Sequence, residues 1–120
     1  MPLVQTKLIT KPWGCEYIWA ECESYIGKTM VIKPGHRMSL QYHEQKEETV
    51  TVIEGVLRIW NSELENQYID LQVGESFHVN PKQVHRFGCP PLQPCPTKIV
   101  EVSTPFLEDV VRIKDDYSRG

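Results

Sequence analysis

Short runs of β-branched and aromatic residues recur along the chain, and turn-forming residues separate them. Runs of this kind are typical of β-strands, whereas the spacing of an amphipathic helix is hard to find. Strands or strand pairs are predicted over six segments, which are 25–35, 39–43, 48–61, 68–81, 83–88 and 97–105. We therefore expect an all-β sandwich or barrel with little helix.

Turn-forming residues punctuate these segments at Lys33-Pro34-Gly35, Glu54-Gly55, Asn61-Ser62, Val73-Gly74 and Asn80-Pro81. The first dozen residues and the final DDYSRG are expected to lie across the outside or to pair with a sheet edge. A chain of 120 residues without an internal repeat or a linker predicts a single domain over residues 1–120.

Charge and hydropathy argue against two classes of partner. The net charge is −3, and acidic and basic residues are interleaved, so no basic face for a nucleic acid is expected. No apolar run approaches the roughly 18 residues that a membrane span needs, and the first residues lack a secretory pattern. We expect a cytoplasmic protein that binds neither nucleic acid nor membrane.

The four cysteines, Cys15, Cys22, Cys89 and Cys95, are expected to be free thiols. A chain of this length can build an apolar core without disulfides, and no export signal is visible. Cys89 and Cys95 bracket a proline-rich stretch, where a redox bridge or a second metal site is the alternative. Further ligands close to that pair are missing, which makes a zinc site there the weaker interpretation.

Four side chains with metal-ligand chemistry are predicted to converge. Gln41 and His43 share one face of a strand because side chains alternate along it. Glu48 follows across a tight connection, and His85 can close the set from a neighbouring strand pair. One carbonyl oxygen, one carboxylate and two imidazoles suit a divalent Zn, Mn, Fe, Co or Ni ion better than Ca or Mg. We predict one such ion, with zinc as the first candidate.

The other aromatic and imidazole side chains are weaker candidates. His36 has a turn-like position, and the alternation around His78 predicts that it faces outward, so neither is expected at the metal. A tryptophan can pack in the core or stack on a sugar ring, and Trp13 in KPWG is the one to follow for stacking.

The metal-ligand spacing resembles the first cupin motif, with Gln41 in place of its first histidine, and GESFHVNPKQVH at 74–85 resembles the second. Further segments of the same resemblance are KPWG at 11–14, VIKPGHRMSLQYH at 31–43, IEGVL at 53–57, IVEVSTP at 99–105 and DVVRIKDDYSR at 109–119. Over about residues 11–119 the chain is similar to the C-terminal cupin domain of bifunctional mannose-6-phosphate isomerase and mannose-1-phosphate guanylyltransferase enzymes. The stretch after His43 departs from the family pattern, since flanking histidines and a tryptophan are replaced.

This resemblance implies a double-stranded β-helix, also called a jelly-roll barrel, and a metal-dependent isomerase. The implied reaction interconverts mannose 6-phosphate and fructose 6-phosphate by proton transfer, and nucleotidyl transfer is not implied. Glu101 is the candidate general base, because a carboxylate within the apolar run IVEVS needs a reason to be there. It could instead face solvent or orient a metal ligand.

Cations and a hydroxyl are expected to bind the phosphate group of the substrate. Arg37 and Ser39 share strand parity with Gln41 and should line the same wall if the strand is unbroken. Lys33 and Arg112 could supplement them, although an ion pair of Arg112 with Asp115 or Asp116 is an equal alternative.

Two other functions fit the sequence. One is a non-catalytic cupin that binds a sugar or a sugar phosphate as a sensor or an accessory protein, and the altered stretch after His43 favours it. The other is a metal oxygenase, for which a shell containing glutamine is unusual. A homodimer is expected from apolar strand edges and from the general tendency of cupins.

Overall fold

The computed structural model describes residues 3–117, and this part of the chain forms eleven β-strands and no helix. The strands are β1 (Lys7–Lys11), β2 (Gly14–Glu21), β3 (Ile26–Ile32), β4 (Leu40–Tyr42), β5 (Glu48–Glu54), β6 (Leu57–Trp60), β7 (Ile69–Leu71), β8 (Ser76–Val79), β9 (Arg86–Gly88), β10 (Thr97–Ser103) and β11 (Val111–Lys114). The all-β prediction is confirmed. Within the described residues there is accordingly no helix of a length and hydropathy suited to crossing a membrane.

The strands form two facing layers. One layer is a six-stranded antiparallel sheet in the order β1-β2-β3-β10-β5-β8. The other contains the group β7-β6-β9 and the pair β11-β4. Gln41 and His85 exchange both backbone hydrogen bonds, at 3.0 and 2.9 Å, and this bridge joins the two groups. The result is a jelly-roll barrel with its interior between the layers.

Apolar side chains from both layers fill most of that interior. Alternate residues of β5 and β10 point inward, which buries Val50, Val52 and Ile99, while Leu57 and Phe87 meet them from the opposite layer. Removing these side chains from water is the main contribution to the stability of the fold. The charged side chains described below lie beside this core, on the inner face of the same sheet.

Strand β2 was not among the predicted segments. Its inward positions are occupied by Glu16 and Ile18, and its outward positions by Tyr17 and Trp19. A carboxylate on the inner face and aromatic rings on the outer face invert the usual pattern, so hydropathy alone does not indicate this strand. Strand β1 pairs with β2 as the edge of the sheet, which confirms the expectation for the N-terminal residues. Residues 118–120 of the C-terminal DDYSRG lie outside the described part.

The turn between β1 and β2 depends on Gly14, which has a φ of +155°. A Cβ atom at this position would collide with the carbonyl oxygen of Val31 on the neighbouring strand. Only glycine allows the two backbones to approach this closely. Lys11, Trp13 and Glu16, in and beside this turn, all line one cavity of the barrel.

We expect Gly14→Ala to lower the free energy of unfolding by about 3 kcal/mol or more, because it adds a steric clash to an unfavourable φ. Gly74→Ala is the matched control, since Gly74 also has a positive φ, of +90°, but a Cβ there meets no atom within 4 Å. Its cost is expected to be about 1–2 kcal/mol. Urea denaturation of both variants measures the difference, and equal losses would contradict the steric explanation.

The outer face of the six-stranded sheet carries exposed apolar side chains, among them Tyr17, Trp19, Ile53 and Val102. The homodimer stays a prediction, which sedimentation at high protein concentration can test. The expectation for the cysteines is met, because all four are free thiols and only Cys89 is buried.

Candidate metal centre

Three side chains converge beside the same cavity of the barrel, and two of them, His43 and Glu48, line it. His43 and Glu48 flank the connection between β4 and β5, and His85 lies directly before β9. Oε1 of Glu48 is 3.5 Å from Nε2 of His43 and 3.2 Å from Nε2 of His85. All three side chains are buried, and one potential ligand atom from each lies within 4.8 Å of the other two. Two imidazole nitrogens and a carboxylate at this separation could share one cation.

Backbone carbonyl groups orient both imidazole rings. Nδ1 of His43 is 2.5 Å from the carbonyl oxygen of Asp109, and Nδ1 of His85 is 3.0 Å from that of Gln83. A carbonyl oxygen only accepts hydrogen bonds, so each Nδ1 must carry the proton. In the neutral ring the lone pair is then on Nε2, which faces the other ring and Glu48.

The polar atoms at this point fit a metal ion. Nε2 of His43 and Nε2 of His85 are buried and have no hydrogen-bond partner within the described structure. Burying unsatisfied polar atoms is costly, and a cation shared with Oε1 of Glu48 would satisfy both. The mixed nitrogen and oxygen set suits a borderline divalent ion.

Gln41 lines the same cavity, but a hydrogen bond already engages its side chain. The hydroxyl of Ser39 donates to Oε1 of Gln41 at 2.7 Å. Ser39 is only 1% exposed, so its hydroxyl orients the glutamine rather than offering itself to a phosphate group. The expected role of Ser39 in phosphate binding therefore has no geometric support.

Two buried carboxyl groups at the centre have opposite pKa shifts. Burial and the nearby charge of Glu48 raise the pKa of Glu101 to about 8. Burial alone would also raise the pKa of Glu48, but the neighbouring side chains of Glu101, His43 and His85 and the charge of Lys46 outweigh it and hold that pKa well below its usual range. Glu48 is thus ionised and available to a cation, while Glu101 can hold a proton near neutral pH.

Lys46 is a central residue that the sequence did not reveal. Its side chain is buried, and Nζ lies 3.3 Å from Oε2 of Glu48 and 3.1 Å from Oε2 of Glu101. Its pKa is raised, because the charges of Glu101 and Glu48 outweigh the opposing effect of burial. The ammonium group therefore remains charged between the two carboxylates.

Charged side chains of alternating sign form a row along the six-stranded sheet, with Lys46 contributed by the connection between β4 and β5. The row, called the charge row below, consists of Lys11, Glu16, Lys28, Glu101, Lys46 and Glu48. Successive charged atoms are 3.8, 3.1, 3.8, 3.1 and 3.3 Å apart. Register explains part of this order, since Lys28 on β3 is directly opposite Glu101 on β10. Such a row satisfies charges that would be costly to bury singly.

Asp109 ties the chain after β10 to the connection that carries Lys46. Its carboxylate accepts hydrogen bonds from the backbone N–H groups of Glu44, Gln45 and Lys46 at 2.9, 2.7 and 2.9 Å. Burial opposes the charge, but these three donors together outweigh it and lower the pKa of Asp109. Because the backbone of Asp109 also holds His43, this residue positions both sides of the metal centre.

We expect Asp109→Ala to lower the free energy of unfolding by about 1–2 kcal/mol at neutral pH, because three backbone N–H groups lose their acceptor. The pKa of Asp109 is lower in the folded state, so its contribution is present above about pH 4 and is lost as the pH falls further. The difference between wild type and variant should therefore shrink in acid. Denaturation curves across this pH range provide the measurement, and a difference that grows in acid would contradict it.

The predicted phosphate-binding cations divide into two groups. Arg37 does not line the cavity, so the predicted placement is wrong: its guanidinium pairs with Glu65 and Asp116 outside the barrel and lies over Trp60. The strand is irregular between Arg37 and Leu40, which breaks the assumed parity. Lys33 is exposed and also lies outside the cavity.

Arg112 and Trp13 do line the cavity, as the predictions required. Arg112 is exposed, lies opposite Gln41 in the pairing of β11 with β4, and has no ion pair within residues 3–117. Trp13 is 4% exposed and also belongs to the core, so packing accounts for most of its surface.

The histidines that were not expected at the metal lie elsewhere. His78 is on the outer face of β8, where Nε2 lies 2.6 Å from a carboxylate oxygen of Glu47. The ring of His36 stacks on Tyr117. Both placements agree with the predictions.

Comparison with known proteins identifies the family. Residues 3–115 match the family model described as mannose-6-phosphate isomerase C-terminal. Mannose-1-phosphate guanylyltransferase ManC of Salmonella typhimurium is 31% identical over 120 residues, covering 92% of this chain and 23% of that protein. The chain spans less than a quarter of the length of the curated relatives it matches.

Solved structures share the fold. A double-stranded β-helix protein from Klebsiella pneumoniae superposes with a TM-score of 0.68 at 21% identity, over 81% of each chain. L-ribose isomerase from Cellulomonas parahominis superposes with a TM-score of 0.60 at 20% identity, over 69% of this chain and 50% of that one. The family match extends over nearly all of the fold described above and includes every residue of the metal centre. The chain belongs to the family of mannose-6-phosphate isomerase C-terminal domains and has the cupin double-stranded β-helix fold.

Proposed function

We propose that the protein is a metal-dependent sugar-phosphate isomerase that interconverts mannose 6-phosphate and fructose 6-phosphate. One observation carries the proposal: a buried carboxyl group, Glu101, lines the same cavity as two of the three converging ligand side chains, His43 and Glu48. The family of the chain supports the choice of substrate. An L-ribose isomerase is among the solved structures with the same fold. For this chain, aldose–ketose isomerisation is part of the proposal.

His43, Glu48 and His85 would hold the ion, with Gln41 as a fourth ligand through its side-chain oxygen. Zinc is the first candidate for this donor set, and Mn, Fe, Co or Ni are alternatives. A bound divalent ion would act as a Lewis acid, stabilising the negative charge that develops on the substrate oxygens. Elemental analysis of the purified protein would identify it.

Glu101 would act as the general base. Isomerisation removes a proton from the carbon next to the carbonyl group and returns it to the neighbouring carbon, through an enediolate. Glu101 is 2% exposed and lies between the ammonium groups of Lys28 and Lys46, at 3.8 and 3.1 Å. These charges fix its position and favour its ionised form, while burial keeps its pKa high enough for proton abstraction.

A coupled assay with metal-loaded protein tests the proposal by following the formation of fructose 6-phosphate from mannose 6-phosphate. Turnover that disappears with a chelator and returns with the metal would support it. No turnover of any hexose or pentose phosphate, with the metal site occupied, would rule it out.

A non-catalytic sugar- or sugar-phosphate-binding protein is the second candidate, and the position of Lys46 favours it. The ammonium group of Lys46 occupies an approach to Glu48 and would compete with a cation for that carboxylate. Calorimetric titration distinguishes the candidates, since metal-dependent binding of the sugar without turnover would favour this one.

A further inference from the structure

The cavity beside the metal centre has an excess of positive charge among its own side chains. The lining cations, Lys11, Lys28, Lys46 and Arg112, outnumber the lining carboxylates, Glu16, Glu48 and Glu101. A divalent ion would increase the excess. A cavity with this balance attracts an anionic substrate more strongly than a neutral one.

The two inner cations are committed to carboxylates. Lys28 lies 3.1 Å from Glu16, Lys46 lies 3.1 Å from Glu101, and both ammonium groups are buried. Each belongs to the charge row, where it balances a negative neighbour. These lysines are therefore not free to neutralise a doubly charged group on a substrate.

The two outer cations are much less engaged. The side chain of Lys11 is 29% exposed, and its Nζ lies 3.8 Å from Oε1 of Glu16. The other carboxylate oxygen, Oε2, pairs with Lys28. Arg112 is exposed and has no ion pair among residues 3–117. Arg37, in contrast, is held by two carboxylates outside the cavity. Lys11 and Arg112 are thus the lining cations that an incoming anion can still recruit.

We infer that Lys11 and Arg112 bind the phosphate group of the substrate at the exposed part of the cavity and select phosphorylated sugars over free sugars. This inference rests on the proposed function for the identity of the sugar. The guanidinium group of Arg112 can form two parallel hydrogen bonds to phosphate oxygens, and Lys11 adds a compact charge. The sugar part would then extend inward toward Glu101, along the charge row, whose members can donate to or accept from hydroxyl groups.

Calorimetric titration of the metal-loaded full chain tests the inference with mannose 6-phosphate, mannose and inorganic phosphate as probes. The variants are Lys11→Gln and Arg112→Gln, both at partly or fully exposed positions where a fold defect is not expected. Lys33→Gln and Arg58→Gln are the matched controls, because these cations lie outside the cavity. Circular dichroism and metal content would be compared before titration.

Lys11→Gln and Arg112→Gln are each expected to weaken the binding of mannose 6-phosphate about tenfold or more, because a charge-assisted hydrogen bond is lost. Binding of mannose should be unchanged, and both controls should match wild type. The inference is overturned if mannose 6-phosphate binds no more tightly than mannose, or if neither cavity variant weakens its binding more than the controls do.

The outcome for phosphate binding can be distinguished from the outcome for the isomerase proposal. Phosphate-selective binding that depends on both residues, without turnover, would support the inference and reject the isomerase. Turnover of mannose 6-phosphate with an unchanged KM in both variants would support the isomerase and reject the inference.

Discussion

Replacing His85 by alanine is expected to weaken metal binding at least about 100-fold and to abolish any metal-dependent activity. His85 provides one of three converging ligand atoms, and a backbone carbonyl already fixes its tautomer. Removing a residue that only orients a ligand usually lowers metal affinity about 10–100-fold. Removing a ligand itself should lower the affinity further. Equilibrium dialysis against zinc gives the affinity directly.

Thermal unfolding provides a second readout that does not depend on catalysis. A metal present at 100 times its Kd stabilises the wild-type fold by about 2.7 kcal/mol, so its Tm should rise when zinc is added. The Tm of the His85→Ala variant should not respond. His78→Ala is the control, because His78 lies on the outer face of β8 and should leave the response intact. An equal response in all three proteins would place the metal elsewhere.

Glu101→Gln is expected to lower kcat about 1,000-fold while metal content stays at the wild-type level, because the amide cannot accept the substrate proton. KM should change little, since the inference above assigns phosphate binding to other residues. The pKa of Glu101 is raised to about 8, so the fraction in the ionised, active form increases as the pH rises toward that value. The kcat/KM of the wild type should increase over the same pH range. The variant should lose this dependence.

Solvent exchange tests the same role independently. Wild-type enzyme in deuterated water should incorporate deuterium at C1 of fructose 6-phosphate, the carbon that receives the proton, and Glu101→Gln should not. Glu54→Gln is the matched control, because Glu54 is a half-exposed carboxylate on β5 that pairs with Lys98. Unchanged incorporation in Glu101→Gln would assign the base to another group.

Much of the centre could be predicted because it depends on local rules. Strand alternation places Gln41 on the cavity side, and short connections bring His43 and Glu48 together. The same rule failed for Arg37, because it assumes an unbroken strand and the backbone before Leu40 is irregular. Parity predicts a side-chain direction only as far as the strand continues.

The buried lysines show what local rules miss. Lys46 lies within HEQKEET, a charged stretch that resembles a solvated turn, and it is buried because Asp109, 63 residues later, holds its backbone. Lys28 left a detectable signal, since it shares a strand face with Ile26 and Met30. Glu101 was selected as a candidate because an ionisable residue shares a strand face with apolar residues. The same pattern is present at Lys28 and Glu16.

The tether formed by Asp109 has a consequence for the order of events during synthesis. A chain leaving the ribosome exposes His43 and Glu48 long before β10, which must enter between β3 and β5, and before Asp109, which orients His43. Contacts between such distant parts of a chain form late in folding. The ligand set therefore assembles only once β10 and Asp109 have emerged, and a metal ion would be acquired by the folded barrel rather than by a shorter nascent fragment.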